Sequence, residues 1–263
     1  MSEAKLLVDG VSRVFPGVRG GAPTRALEPA RLEVAENDFI TILGPSGCGK
    51  STLLRIVAGL DRPSAGRVLL DGRAVAGPGP DRGMVFQSYT LFPWLTVAEN
   101  IAFGLREKGV PASQRRGTIG AYVEKVGLTG FENHYPKQLS GGMQQRTAIA
   151  RARANDPEIL LLDEPFGALD NQTRALMQEL LLGIWERERK TVLFVTHDIE
   201  EAIFLASRVV IMTARPGRIK ADVPVDLPHP RDYRMKTSPH FSELKARLTE
   251  EIRVEAVRAA EAH

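Results

Sequence analysis

Apolar and polar residues alternate from Lys5 to Val14 and again from Arg31 to Val34, on either side of a Gly- and Pro-rich loop from Pro16 to Pro23. Period-2 alternation broken by turn residues predicts an antiparallel β opening. Phe39-Ile40-Thr41-Ile42-Leu43 is instead a continuous run stopped by glycines, and after it Leu53, Leu54 and Val57 recur at helical spacing within Lys50 to Ala58. That succession reads as strand, loop, helix. Met84-Val85-Phe86, Ile159 to Leu162, Thr191 to Val195 and Val209 to Met212 are further strands. A helix whose face carries Leu176, Met177, Leu180, Leu181, Ile184 and Trp185 lies among them. Strands alternating with helices predict a parallel sheet covered on both faces. From Ser88 to Asn155 the pattern is different: Val97 to Arg106, Ser113 to Val126 and Met143 to Ala154 are helical and no strand interrupts them, so a helical insertion is expected. Prolines at 216, 224, 228, 230 and 239 predict irregular chain until Phe241, where Phe241, Leu244, Leu248 and Ile252 mark a final amphipathic helix.

Composition narrows the class. The 263 residues are 43% hydrophobic and 25% charged, as in a globular protein with a sizeable core, and no internal repeat is evident. Lys+Arg 35 against Asp+Glu 32 gives a net charge of +3 with no basic stripe, so nucleic-acid binding gains little support. One cysteine, Cys48, makes an internal disulfide impossible, and a reducing cytoplasm is the default compartment. No apolar run approaches the ~18 residues of a membrane span. Work at a membrane would need a partner that supplies the spanning part.

Gly44-Pro45-Ser46-Gly47-Cys48-Gly49-Lys50-Ser51 fits G-x-x-x-x-G-K-[ST] in the required context, after a strand and opening a helix. Its glycines let backbone N–H groups face phosphate oxygens, the helix N-terminus adds its positive end, Lys50 supplies a point charge, and Ser51 would hold Mg²⁺. Cys48, inside this loop, is expected to be a thiol favoured as thiolate and covered by bound nucleotide, with a buried, inert cysteine as the alternative. Ile159 to Leu162 runs into Asp163 and Glu164. Asp163 suits the magnesium shell and Glu164 a general base acting on water, with a solvated acidic turn as the alternative. Leu139-Ser140-Gly141-Gly142-Met143-Gln144-Gln145-Arg146 adds a hydroxyl and two bare glycine amides at a helix start, a second anion site. One nucleotide per chain does not need two phosphate cradles.

With that second cradle the chain resembles the nucleotide-binding subunits of ATP-binding-cassette (ABC) transporters, whose signature is LSGGQ, over nearly its whole length. The resemblance implies an α/β fold: a P-loop NTPase cassette with a mostly parallel RecA-like core, an antiparallel β subdomain and a helical subdomain. It divides the chain into an ATP-binding core at 1–87 and 156–215, a helical signature subdomain at 88–155, and a carboxyl-terminal extension at 216–263. It further implies ATP contacts at Gly44, Pro45, Ser46, Gly47, Cys48, Gly49, Lys50, Ser51 and Thr52. Phe15 would stack on adenine, its alternative being a core aromatic. Gln87 matches the Q-loop glutamine on Mg²⁺, so the metal set is Ser51, Gln87 and Asp163. His197 matches the switch histidine on the γ-phosphate. Ser140, Gly141, Gly142, Met143 and Gln144 would close over ATP held by a second cassette, Met143 departing from the family's Gln. Asp170 matches the D-loop aspartate at the dimer interface and is also placed to cap the next helix.

Partners follow from the same resemblance. They are a second cassette, identical or related, transmembrane permease subunits, and indirectly a solute-binding protein, with no nucleic acid. Phe92-Pro93-Trp94, two aromatics on a rigid turn, suits a partner-docking groove, with local core as the alternative. The place of work is the cytoplasmic face of the inner membrane. Leu91 to Thr96, Asp163 to Asp170, His197 to Ala202 and Thr213 to Ile219 look like the branch that imports nitrate, sulfonates and taurine. The competing reading is a soluble ABC-type ATPase acting on nucleic acid or ribosomes. Such proteins usually carry two cassettes or a long coiled coil, and neither fits this length.

Overall fold

A computed structural model describes residues 4–17 and 21–261. In chain order the strands and helices are β1 (Leu6–Phe15), β2 (Thr24–Val34), β3 (Phe39–Leu43), α1 (Lys50–Val57), β4 (Ala65–Leu70), β5 (Arg73–Ala74), β6 (Arg82–Val85), α2 (Val97–Glu107), α3 (Ala112–Lys125) and α4 (Gly141–Ala154). There follow β7 (Ile159–Asp163), α5 (Asn171–Glu188), β8 (Thr191–Thr196), α6 (Ile199–Leu205), β9 (Arg208–Met212), β10 (Ile219–Pro224) and α7 (Pro239–Glu261). They make an α/β chain of two compact units, Met1–Gly79 with Arg189–His263, and Pro80–Glu188.

The first unit holds two sheets. One is antiparallel, in the order β2-β1-β4-β5. Its strands alternate as the pattern requires: Leu6 and Val8 on β1, and Ala30, Leu32 and Val34 on β2, are buried. In the other, β3 lies between β8 and β9 and is parallel to both, and β10 closes the edge antiparallel to β9. All five residues of β3 are buried, which is why its sequence is a continuous run. The strand β10 is a correction to the expectation of irregular chain after Met212. Pro224 is its last residue and lies on an edge strand, where the missing N–H costs no ladder bond. The strand β4 was not anticipated, because its first three residues are exposed and only Val68 and Leu70 are buried. On α7, Phe241, Leu244 and Leu248 are buried, and the helix packs on α6.

In the second unit β6 and β7 pair in parallel, from Arg82↔Ile159 to Val85↔Leu162. Its helices close over a core that includes Val97, Ile101, Val126, Leu139, Ala150 and Ile184. Helix α2 starts in a capping box, Thr96 accepting from the Glu99 N–H while the Glu99 carboxylate accepts from the Thr96 N–H. Helix α5 buries Met177, Leu181, Ile184 and Trp185 as expected, but Leu176 is 57% exposed, one position off the stripe. No helix among the described residues is long and apolar enough to cross a membrane.

Candidate active site

In the first unit, β3 and β8 end in register, Leu43 opposite Thr196. The chain leaves β3 into Gly44 and the phosphate loop, and leaves β8 into His197, so both emerge at the carboxyl ends of adjacent parallel strands. Ligands of open α/β sheets bind at such ends. Gly47 and Gly49 take positive φ, 73° and 101°, and Gly49 opens α1 with no side-chain cap. Lys50 is 5% exposed, and its ammonium lies across the loop, donating to the carbonyls of Gly44 at 2.8 Å and Pro45 at 3.0 Å. A compact cation over a glycine loop at a helix N-terminus fits a polyphosphate. Ser51 and Thr52 occupy the first turn of that helix. His197 is held between Thr196, whose hydroxyl accepts from the Asp198 N–H at 3.0 Å, and Asp198, which caps α6.

Two side chains of this unit, Cys48 and Phe15, stand as follows. Cys48 is 1% exposed, and its sulfur lies 2.9 Å from where a Cβ on Gly44 would be, so the side chain faces the protein interior rather than the phosphate side. The thiol expected to be open in the empty loop is therefore buried, as the inert alternative has it. Phe15 ends β1 half-buried, with the Arg13 guanidinium 4.5 Å over one ring face. Only its opposite face remains for a stacked base.

In the second unit, β7 delivers Asp163, 3% exposed, and then Glu164, while β6 on the neighbouring strand leads to the exposed Gln87. Glu164 sits at φ 42°, an unusual conformation for a residue with a side chain. The strain turns the chain sharply after the strand, with Gly167 N–H bonded to the Glu164 carbonyl at 3.2 Å. Asp170 accepts from the N–H groups of Gln172 and Thr173 and from the Thr173 hydroxyl, which holds its carboxyl below the usual carboxylate range. It caps α5, as one of the two roles read for it requires.

Ser140 caps α4, its hydroxyl accepting from the Met143 N–H at 3.3 Å. Gly141 and Gly142 form the first turn; a Cβ on Gly142 would lie 2.8 Å from the Thr173 methyl, so the signature abuts the start of α5. Met143 points into the helical core, a placement suited to an apolar residue where the family has Gln. Gln144 donates to the carbonyls of Pro136 and Leu139, fixing the turn that precedes the cradle.

Several residues around these motifs had no sequence signal. Arg151, on α4, donates to the Thr90 carbonyl at 2.8 Å and lies 5.4 Å over the Phe92 ring. Tyr89 reaches the signature itself, its hydroxyl standing beside Gly141. Asn100 is fully buried and ties the turn carrying Phe92 and Trp94, donating to the carbonyls of Phe92, Leu95 and Thr96. Their partners are remote in sequence or are backbone atoms, which no motif records.

Comparison with known proteins agrees with this geometry. Residues 27–167 match the family described as ABC transporter. The chain is 54% identical to an uncharacterized ABC transporter ATP-binding protein of Methanocaldococcus jannaschii, over 98% of this chain and 94% of that one. It is 46% identical to the nitrate import ATP-binding protein NrtD of Synechocystis (94% and 97% covered). To an aliphatic sulfonates import ATP-binding protein, SsuB of Bacillus cereus, it is 48% identical (93% and 94%). Among solved structures it is similar to an ATP-binding cassette determined as a dimer in a post-hydrolysis state bound to ADP and Pi. That match has a TM-score of 0.75 and 34% identity, covering 85% of this chain and 100% of that one.

Proposed function

The chain belongs to the ABC transporter family, and from that premise we propose that it is the ATP-hydrolysing subunit of an importer for nitrate, a sulfonate, taurine or a related small solute. The observation that carries the reading is the presence of two anion cradles on separate helices, Gly44 to Ser51 at α1 and Ser140 to Gly142 at α4. One holds the nucleotide of its own chain; the other serves a second cassette, so the working form is a dimer, of identical or related chains, bound to permease subunits at the cytoplasmic face of the inner membrane. The core at 1–87 and 156–215 binds ATP, 88–155 presents the signature, and a solute-binding protein delivers cargo upstream.

In this assignment Lys50 and the loop amides hold the β- and γ-phosphates, and Phe15 stacks on adenine through the ring face that Arg13 leaves open. Ser51, Gln87 and Asp163 would hold Mg²⁺, which when bound neutralises charge on the phosphate oxygens. Glu164 accepts a proton from water as the water oxygen bonds to the γ-phosphorus and the bond to the bridging oxygen breaks, yielding ADP and phosphate. His197 donates to the γ-phosphate, and the signature of the second cassette, the counterpart of Ser140, Gly141 and Gly142, stabilises the charge that develops on it.

Glu164→Gln tests the reading. Loss of a general base lowers turnover by about 10²–10⁴-fold while ATP affinity stays near wild type, and the ATP complex accumulates as a dimer. Lys50→Ala weakens binding itself. Wild-type turnover in the first variant, or unchanged nucleotide affinity in the second, would refute it.

A further inference from the structure

The hairpin loop between β9 and β10 lies against the phosphate loop. Thr213 closes it, its hydroxyl donating to the Pro216 carbonyl at 3.2 Å and accepting from the Arg218 N–H at 3.1 Å. Gly217 is stitched to β2, its N–H on the Ala26 carbonyl and its carbonyl receiving the Glu28 N–H. A Cβ on Gly217 would stand 1.8 Å from the Cys48 carbonyl oxygen, so only glycine permits this approach. Arg215 donates from Nε to the Gly47 carbonyl at 3.2 Å. Two successive carbonyls of the phosphate loop, those of Gly47 and Cys48, thus face this hairpin.

Peptide planarity gives that contact a consequence. In a trans peptide the C=O and the following N–H point in opposite directions. Holding the Gly47 carbonyl outward aims the Cys48 N–H across the loop, where it meets the Pro45 carbonyl at 3.4 Å. The close approach of Gly217 confines the Cys48 carbonyl to its side of the loop, which directs the Gly49 N–H the opposite way. Phosphate oxygens accept from amides turned this way, the Cys48 N–H exchanging its long contact to Pro45 for one to the ligand, and the guanidinium adds positive charge beside them.

The hairpin is in turn latched by α7. Glu255 falls on that helix's buried stripe, at 1% exposure, and its carboxylate accepts from the Ala214 N–H at 3.0 Å, next to Arg215. Lys220 and Arg258 pair with it at 3.0 and 3.1 Å, which allows a carboxylate to be buried there. We infer that Arg215 is a positioning residue of the phosphate loop, and that the carboxyl-terminal helix holds it in place through Glu255. The extension is then part of the nucleotide-binding apparatus; this rests on the proposal that the loop binds ATP.

The test is titration of the full chain with MgATP and MgADP, alongside steady-state ATPase and thermal melts. Arg215 is exposed, so Arg215→Ala keeps the fold. It is expected to weaken both nucleotides about five- to tenfold, the scale of one charge-assisted hydrogen bond, and to raise KM while kcat at saturating ATP stays within about twofold. Arg215→Lys restores part of the affinity. Glu255→Ala weakens binding about threefold, and Glu255→Gln, which still accepts from Ala214, is close to wild type. The double variant Arg215→Ala with Glu255→Ala binds as Arg215→Ala alone, because Glu255 acts through Arg215. Affinity within twofold of wild type for Arg215→Ala, or additive losses in the double variant, would overturn the inference. If Lys50→Ala also binds normally, the ATP assignment itself fails; if Lys50→Ala loses binding and Arg215→Ala does not, only the inference fails.

Discussion

The hydroxyl oxygen of Tyr89 lies 2.9 Å from the point where a side chain on Gly141 would begin, and the Leu169 methyl lies 3.7 Å from the same point. The chain leaving Gln87, the signature and the D-loop of the second unit therefore meet at one glycine. Gly141→Ala must displace Tyr89, and we expect ATPase to fall about tenfold or more while nucleotide affinity at the phosphate loop is unchanged. Tyr89→Phe in that background removes the oxygen in the way and recovers part of the activity. Steady-state ATPase of wild type and the two variants checks this, and no recovery with Phe would show that Tyr89 is not the obstacle.

Much of this arrangement is legible in the amino-acid sequence. The run Phe39 to Leu43, the glycine loop and the helix from Lys50 share one local logic, as do Ile159 to Asp163 and the Ser140 cap, and each was read in the right element. Residues whose roles depend on distant partners were not. Arg151 contacts Thr90, 61 positions away; Glu255 contacts Ala214, 41 away. Proline count misled at β10, since Pro224 sits where an edge strand tolerates it. For Cys48, charge near the loop argued for a reactive thiolate, but side-chain direction, which motif spacing does not carry, placed the sulfur inside.

Enclosure of Cys48 reverses the labelling expected of an open loop. Maleimide should react slowly with the native chain whether or not MgATP is present, at least about tenfold more slowly than in denaturant, where the thiol is released. Mass spectrometry of the time course reads it directly. Fast labelling of the native chain without nucleotide, suppressed by MgATP, would restore the exposed-thiol picture.

Trp94 is 69% exposed, whereas Phe92 beside it packs on Phe103 at 4.4 Å between ring centroids and under Arg151. The two aromatics should therefore separate. Trp94→Ala is expected to reduce permease-stimulated ATPase severalfold with basal ATPase and melting temperature nearly unchanged, as loss of an exposed anchor does. Phe92→Ala loses ring packing and lowers the melting temperature as well. Equal loss of basal and stimulated activity in Trp94→Ala would place that ring in the fold rather than at a partner.

Glu188 closes α5 at its C-terminus, where the helix dipole disfavours a negative charge. Lys125 at 2.7 Å and the buried Arg153 compensate. Burial pulls its carboxyl upward, but the hydrogen bonds from Lys125 and Arg153 outweigh it and hold the group below the usual carboxylate range. A depressed native value means that the pair contributes full stability above the unfolded-state value and loses it as pH falls through the native one. Glu188→Gln leaves Arg153 without its counter-charge, at a cost of about 1–3 kcal/mol near neutral pH once partial solvent access is discounted. The melting-temperature gap between wild type and Glu188→Gln should be widest at pH 7 and close as the medium is acidified below the ordinary carboxylate value. Parallel melting curves across that range would mean that the ion pair does not stabilise the unit.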